Sequence, residues 1–276
     1  MKLDESLLNR AVPAGSMRYY AWLYTPAEHR DVLAALFLIE SELHDSARAA
    51  HEVAHIRLQW WREEIDQLIA GKARHPATQV LQAATNSHTD LQLLQQALLS
   101  SAQELANATY ETDSELDQYF RNGLGSLFAI ASQLLSRDAT PQVNEAATQL
   151  GAFVRQVESL RDLRNDFHHG RLYLPLNKLD ELNIQYEALQ STDWPASFVQ
   201  LLKSRSEQQL AAYKILKQGL LSSEKQTLRP LLVLSELHAQ VLQVIAKDPA
   251  ANTQQRVELG PIKKLWTAWN AARVAS

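Results

Sequence analysis

The sequence predicts an all-α fold, on three observations. Leu, Ala, Gln and Glu abound while glycine is scarce, 8 in 276 residues, which favours helix throughout. Apolar residues recur at helical spacing, and no convincing alternating run suggests a strand. Helix start and stop signals are spread along the whole chain. With 46% hydrophobic and 21% charged residues the composition is globular, and the absence of long polar or Pro/Gly-rich tracts excludes disorder as the main state.

The elements follow in order. Thr25-Pro26-Ala27-Glu28 reads as an N-cap, a proline at the first helical position and a capping acid, opening a helix to about Asp45. A second runs from near His51 to Gly71 and carries Ile56, Leu58, Trp60, Ile65 and Leu68. Thr89-Asp90 opens a third to about Ala106. Ser114 caps one through Leu135, with Gly123 and Gly125 inside it. Thr140-Pro141 opens the longest, to His169, with Gly170 as its C-cap. Pro195, Ser222 and Pro261 begin the last three, ending near Leu221, Lys247 and Val274. The stretches between them, about 70–76, 107–113, 136–140, 170–195 and 248–260, are short or hold apolar anchors such as Tyr173, Leu174 and Trp194. None reads as a flexible linker, so residues 1–276 are expected to form one domain.

Several function classes are excluded early. There is no cysteine, hence no disulfide, thiolate metal site or cysteine nucleophile. A net charge of −4 offers no global attraction to nucleic acid. The N-terminus carries acids and lacks an apolar signal core, and the apolar run Val32–Ile39 is far short of a bilayer span; a soluble, cytoplasmic protein is expected. Glycine-rich phosphate loops and G-x-S-x-G are absent. Trp266 and Trp269 beside Lys263 and Lys264 read first as packing residues of a docked C-terminal helix, with peripheral membrane contact as the alternative.

Two helices carry unusual acids. After the all-round apolar run Val32–Ile39 come Glu40, Glu42 and Asp45, the last two sharing a face. Buried carboxylates need a partner or a metal; otherwise the helix emerges into solvent there. In the long helix, Leu150, Phe153, Val157, Leu160, Leu163 and Phe167 form the apolar arc, and Arg155, Glu158, Ser159, Asp162, Asp166 and His169 lie opposite. Asp162 and Asp166, one turn apart, can share an oxygen-ligated Mg²⁺; the alternative is a plain solvated face. The pair His51 and His55 lacks a third ligand and reads as surface histidines.

Asp162-Leu163-Arg164-Asn165-Asp166 followed by Gly170-Arg171-Leu172-Tyr173-Leu174-Pro175 resembles the second aspartate motif and GR-x-YLP signature of squalene/phytoene synthases, including the preceding Arg161. Ser16, Tyr19-Tyr20, Pro26, Arg30 and the stretch to Asp45 resemble the family's N-terminal helix. Ile56 to Glu64 resembles its (K/R)L-x-WWR-x-E element, and Tyr119 with Gly125 resembles its Y-C-x-x-V-A-G helix. The resemblance implies an isoprenoid-synthase-like helical bundle around a central apolar cavity. It also implies a prenyltransferase, in which Mg²⁺ assists head-to-head condensation of two prenyl diphosphates, farnesyl or geranylgeranyl, with diphosphate release. By motif position Asp162, Asp166 and Tyr173 would be catalytic. Ser16, Arg161, Arg171 and Tyr119 would bind substrate, and Glu42, Asp45, Asp162 and Asp166 would hold the metal.

Two departures fall at the chemistry. The family's D-D-x-x-D is here Ser41-Glu42-Leu43-His44-Asp45, and Arg155 and Glu158 stand where the family has Gln and Asn. An ion pair between those two would partly fill the site. The pattern Phe37, Glu40, Asp45-Ser46, Arg57 and Gln59-Trp60-Trp61 is similar to the branch related to the complex I assembly factor. A catalytically degenerate binding or assembly factor with a protein partner is therefore the second expectation.

Overall fold

A computed structural model describes residues 2–275 except 107–108, 137–138, 186–188, 190–192 and 254–255. Its described residues form helices and no strand, with one isolated bridge between Tyr110 and Pro175. The expected all-α class holds. Two short N-terminal helices, α1 (Glu5–Ala11) and α2 (Met17–Leu23), are capped by Asp4 and Ser16, whose side chains accept from Leu7 and Tyr19 amides.

The central rod is α3 (Arg30–Ala47), reached through a 3₁₀ turn at Ala27–His29. Every residue from Val32 to Glu40 is buried, because α1, α4 (His51–Ile69), α5 (Pro76–Ala84), α6 (Leu93–Ala106) and α8 (Ser126–Leu135) pack around it. Ile56, read as an apolar-face residue, is 71% exposed, whereas Trp61 is buried. Helix α5 falls between the expected loop at about 70–76 and the helix expected from Thr89-Asp90, in a stretch where the sequence predicts no element. Its N-terminus is held by the fully buried Glu64 of α4, which accepts from the Arg74 amide at 2.8 Å, the His75 amide at 2.9 Å and Thr78 Oγ1. Burial pushes the Glu64 carboxyl up, but these donors prevail and hold it below its ordinary range.

The 114–135 stretch is not one helix. It divides into α7 (Asp113–Phe120), capped by Thr112, a π turn at Arg121–Gly125, and α8. Gly123 has φ −74° and ψ −108° there, so the turn bends the chain against α9 (Pro141–Arg161). The approach is close enough that a Cβ on Gly151 would lie 2.5 Å from the Leu124 carbonyl oxygen and 2.8 Å from Gly125 Cα. Gly151→Ala must push two backbones apart, and an overpacking cost of about 1–3 kcal/mol is expected, read as a lower denaturation midpoint; an unchanged midpoint would show that α9 can shift freely.

The expected long helix to His169 also breaks, at Asp162 (φ −97°, ψ 8°), into α9 and α10 (Leu163–His168). Gly170 ends α10 in the left-handed region, φ 72°, as expected of a C-cap. After α11 (Leu176–Glu181), α12 (Ala196–Gly219) and α13 (Ser222–Thr227), the buried α14 (Arg229–Lys247) lies against α9 and α12. Pro230 at the head of α14 removes a backbone donor, and the expected 222–247 helix is split there. Finally α15 (Pro261–Val274) docks on α14 and α2.

Candidate functional site

A cleft of about 580 Å³ opens where the α1–α2 connection, the middle of α3, the end of α9 and the 256–259 segment meet. Arg10, Arg18, Arg155, Arg161, Arg256 and Lys264 line it with the acids Glu40, Glu158, Asp162 and Glu258. Six basic groups against four acidic ones leave a local excess of two positive charges, in a chain whose net charge is −4. Ser16, His44 and His238 complete its polar wall.

Each acid on that wall is engaged. Asp162 sits between two guanidinium forks: Arg161 donates through Nε at 3.1 Å and Nη2 at 2.7 Å, and Arg256 through Nε at 2.6 Å and Nη2 at 3.1 Å. Burial pushes the Asp162 carboxyl up, yet the two arginines hold it below its ordinary value. Glu40 pairs with Arg18, which also donates to the Phe37 carbonyl at 3.2 Å. Glu158 lies 3.4 Å from Arg155 and 3.6 Å from His238 Nε2. Burial raises its carboxyl, but His238, Arg155 and Arg18 outweigh that and keep it well below the carboxylate range.

Behind this wall is a second set of charges, centred on Glu104 of α6. Its side chain is 3% exposed and accepts from Tyr119 Oη at 2.7 Å, Tyr173 Oη at 2.8 Å and Arg48 Nε at 3.0 Å. Arg171 Nε and Arg155 Nη2 stand 3.5 and 3.8 Å away. Burial works against the Glu104 charge, but His44, Arg155 and Arg48 prevail and depress it well below its ordinary value. The Tyr119 and Tyr173 rings stack at 5.6 Å, and burial followed by Glu104 pushes both phenols up, so they remain protonated donors. Arg48 continues to Asp166, 2.8 Å from Oδ1, though this oxygen lacks a donor in hydrogen-bond geometry. Burial leaves the Asp166 carboxyl above its ordinary value despite Arg48 and Arg155.

Arg155 joins the two sets, donating to His44 Nδ1 at 2.7 Å and lying 3.5 Å from Tyr119 Oη. Together with Glu40 and His44 it also borders an interior pocket shared by α3, α6, the π turn and α9. This pocket measures about 30 Å³, room for one or two waters. Arg155 and His44 stand between it and the cleft.

The residues singled out in the sequence are thus distributed over three places. Ser16, Arg161 and Asp162 reach the cleft. Tyr119, Tyr173, Arg171 and Asp166 gather behind it through Glu104 and Arg48. Glu42 and Asp45 turn toward α1, where Arg10 lies 3.0 and 3.6 Å from them, and His75 is 3.6 Å from Glu42. The neighbours Glu40 and Ser41 face the cleft instead. Sequence reasoning missed Glu104, Arg48, Arg18, Arg256 and His238. Two of them had a signal: Glu104 falls on the buried arc of α6 with Leu94, Ala97 and Leu98, and His238 on that of α14 with Leu231, Leu234 and Leu242.

An octahedral Mg²⁺ needs convergent carboxylate oxygens with free lone pairs. Among the described residues no group of three or more His, Asp or Glu converges in this way. Glu42 and Asp45 face Arg10, and Asp162 is saturated by two guanidiniums. Asp166, beside Arg48, keeps an oxygen without a hydrogen-bond donor, but among the described residues no second free carboxylate converges on it. As arranged, these residues do not fit the ion.

The helical architecture and this cleft define a class of all-α protein in which Asp162, at the break between α9 and α10, lines a cleft walled by arginines. The squalene/phytoene synthase family profile matches residues 12–263, and the chain belongs to that family. It is 24% identical over 266 residues to the phytoene synthase of Mycobacterium tuberculosis, covering 94% of this chain and 86% of that protein. Against the 15-cis-phytoene synthase of Synechocystis the identity is 23% over 274 residues, with 93% and 81% covered. The fold superposes on a ligand-bound dehydrosqualene synthase at a TM-score of 0.79, with 14% identity and 97% and 94% of the two chains covered. Squalene synthase HpnC from Alicyclobacillus acidocaldarius gives 0.70, 13%, 90% and 94%.

Proposed function

We propose that the protein binds a prenyl diphosphate in the 580 Å³ cleft and recognises its headgroup through guanidinium groups rather than through a metal cage. The observation that carries this reading is the surplus of basic side chains on the cleft wall. Arginine forks match phosphate oxygens two at a time. Arg10 and Arg256 have half-exposed side chains, so they can turn from their carboxylates toward an incoming anion without unburying a charge. Family membership supports the isoprenoid class of ligand. Because the named acids are engaged by arginines, the reading is of a binding member of the family. Mg²⁺-dependent head-to-head condensation is the second reading, favoured by the position of Asp162 and Arg161 on the cleft wall.

Calorimetric titration with farnesyl and geranylgeranyl diphosphate, in EDTA and in Mg²⁺, tests both. Binding in EDTA is expected, weakened about 10–100-fold in Arg256→Ala because one charged hydrogen-bonding partner is removed. Mg²⁺ alone is expected to leave the melting temperature unchanged. Binding only with Mg²⁺, and lipid product that vanishes in Asp162→Asn, would replace the first reading with the second. No binding under either condition overturns both.

A further inference from the structure

Helix α15 carries its large apolar side chains on the wrong side for a docked helix. Its inward face is made of the buried Thr267, Ala268 and Ala272. Ile262, Leu265, Trp266 and Trp269 point outward, exposed by 85, 56, 64 and 38%. At helical spacing these four span an arc of about 100°, the width of an ordinary core-facing stripe. The Trp266 and Trp269 rings lie 5.1 Å apart, and the Arg273 guanidinium rests 4.6 Å over Trp269. The helix contains Lys263, Lys264 and Arg273 and no acid.

We propose that this face seats the protein on an anionic lipid surface, with α15 lying in the plane of the interface. Paired tryptophans flanked by cations suit the boundary between headgroups and acyl chains, where an aromatic body is buried and a charged head stays wet. Among the described residues no helix is long and apolar enough to cross a membrane, so the contact is peripheral. A second copy of the chain fits less well, because two like faces would bring Lys263 and Arg273 against the same cations. On the side of α15 away from this stripe, Lys264 lines the cleft and donates to the Gly15 carbonyl at 3.2 Å. The inference rests on the exposed face and holds whatever ligand the cleft takes.

Flotation of the purified chain with phosphatidylcholine vesicles, with and without phosphatidylglycerol, provides the test. Co-flotation with the anionic vesicles is expected, falling as salt is raised. Lys263→Gln and Arg273→Gln should each weaken it about fivefold. Ile262→Glu/Trp266→Glu should abolish it while the far-ultraviolet circular dichroism stays unchanged, since both side chains are exposed. Leu99→Glu, at another exposed apolar site on α6, should float like the parent. Failure to float with anionic vesicles overturns the proposal. So does a dimer in light scattering that Ile262→Glu/Trp266→Glu dissociates, since the face would then belong to a second copy.

Discussion

Replacing Glu104 by alanine is expected to lower the unfolding free energy by about 3–5 kcal/mol, the usual cost of removing one partner from a buried charge cluster. The carboxylate compensates Arg48 directly at 3.0 Å and stands within 4 Å of Arg155 and Arg171. Without it three guanidiniums would face one another around two phenols, Tyr119 and Tyr173, left without an acceptor. Glu104→Gln keeps the shape and one acceptor oxygen, so a smaller loss is expected. Acidification supplies a separate check. The folded carboxyl is depressed well below its ordinary value, so its contribution is complete above the unfolded value, about 4.3. That contribution is lost as pH falls from there through the folded value. The parent should therefore lose stability on acidification more steeply than Glu104→Gln. Asp166, whose carboxyl is raised by burial, acts in the opposite sense and blunts the slope in both. Denaturant titrations from neutral pH to about pH 3 measure both effects, and equal curves for parent and variant would remove Glu104 from the centre of the network.

Arg155 and Glu158 should behave as a unit. Arg155→Gln leaves Glu158 and Glu104 short of a cation, and Glu158→Asn leaves Arg155 and His238 short of an anion. Each single change is expected to cost about 3–5 kcal/mol. Removing both charges together, at a pair 3.4 Å apart, should cost at least about 1 kcal/mol less than the sum of the two. Additive losses would show that the two side chains act separately. The double variant also removes the guanidinium that stands between the cleft and the 30 Å³ pocket. If the headgroup reading holds, prenyl diphosphate binding in EDTA should weaken in Arg155→Gln alone, because a cleft cation is gone while Glu158 remains.

Local pattern carried far for the helices. The apolar run Val32–Ile39 announces a rod buried on all sides, and α3 is that rod. Thr140, Gly170 and Pro261 mark helix ends where the chain turns. These signals succeed because capping and periodicity act within a turn or two of the same segment. Helix α5 escaped because the acceptor that secures its N-terminus, Glu64, belongs to a different helix. The breaks at Asp162 and Gly123 escaped because the composition around them is helical and packing imposes the bends.

For the candidate site, the family motif was legible and its wiring was not. Arg161, Asp162, Asp166 and Tyr173 are readable as a linear pattern. Whether such a carboxylate is free for a metal or held by a guanidinium depends on partners such as Arg48 to Glu104, Tyr173 to Glu104 and Arg256 to Asp162, separated by 56, 69 and 94 positions. Likewise Glu42 and Asp45 share a face in any helix, but where α1 docks decides that this face meets Arg10. Short-range propensity and motif spacing are written along the chain and fix the helices and the family. Charge pairing and the free space left between helices arise from how distant segments pack, because Coulomb interactions and steric exclusion act through space and take no account of sequence distance.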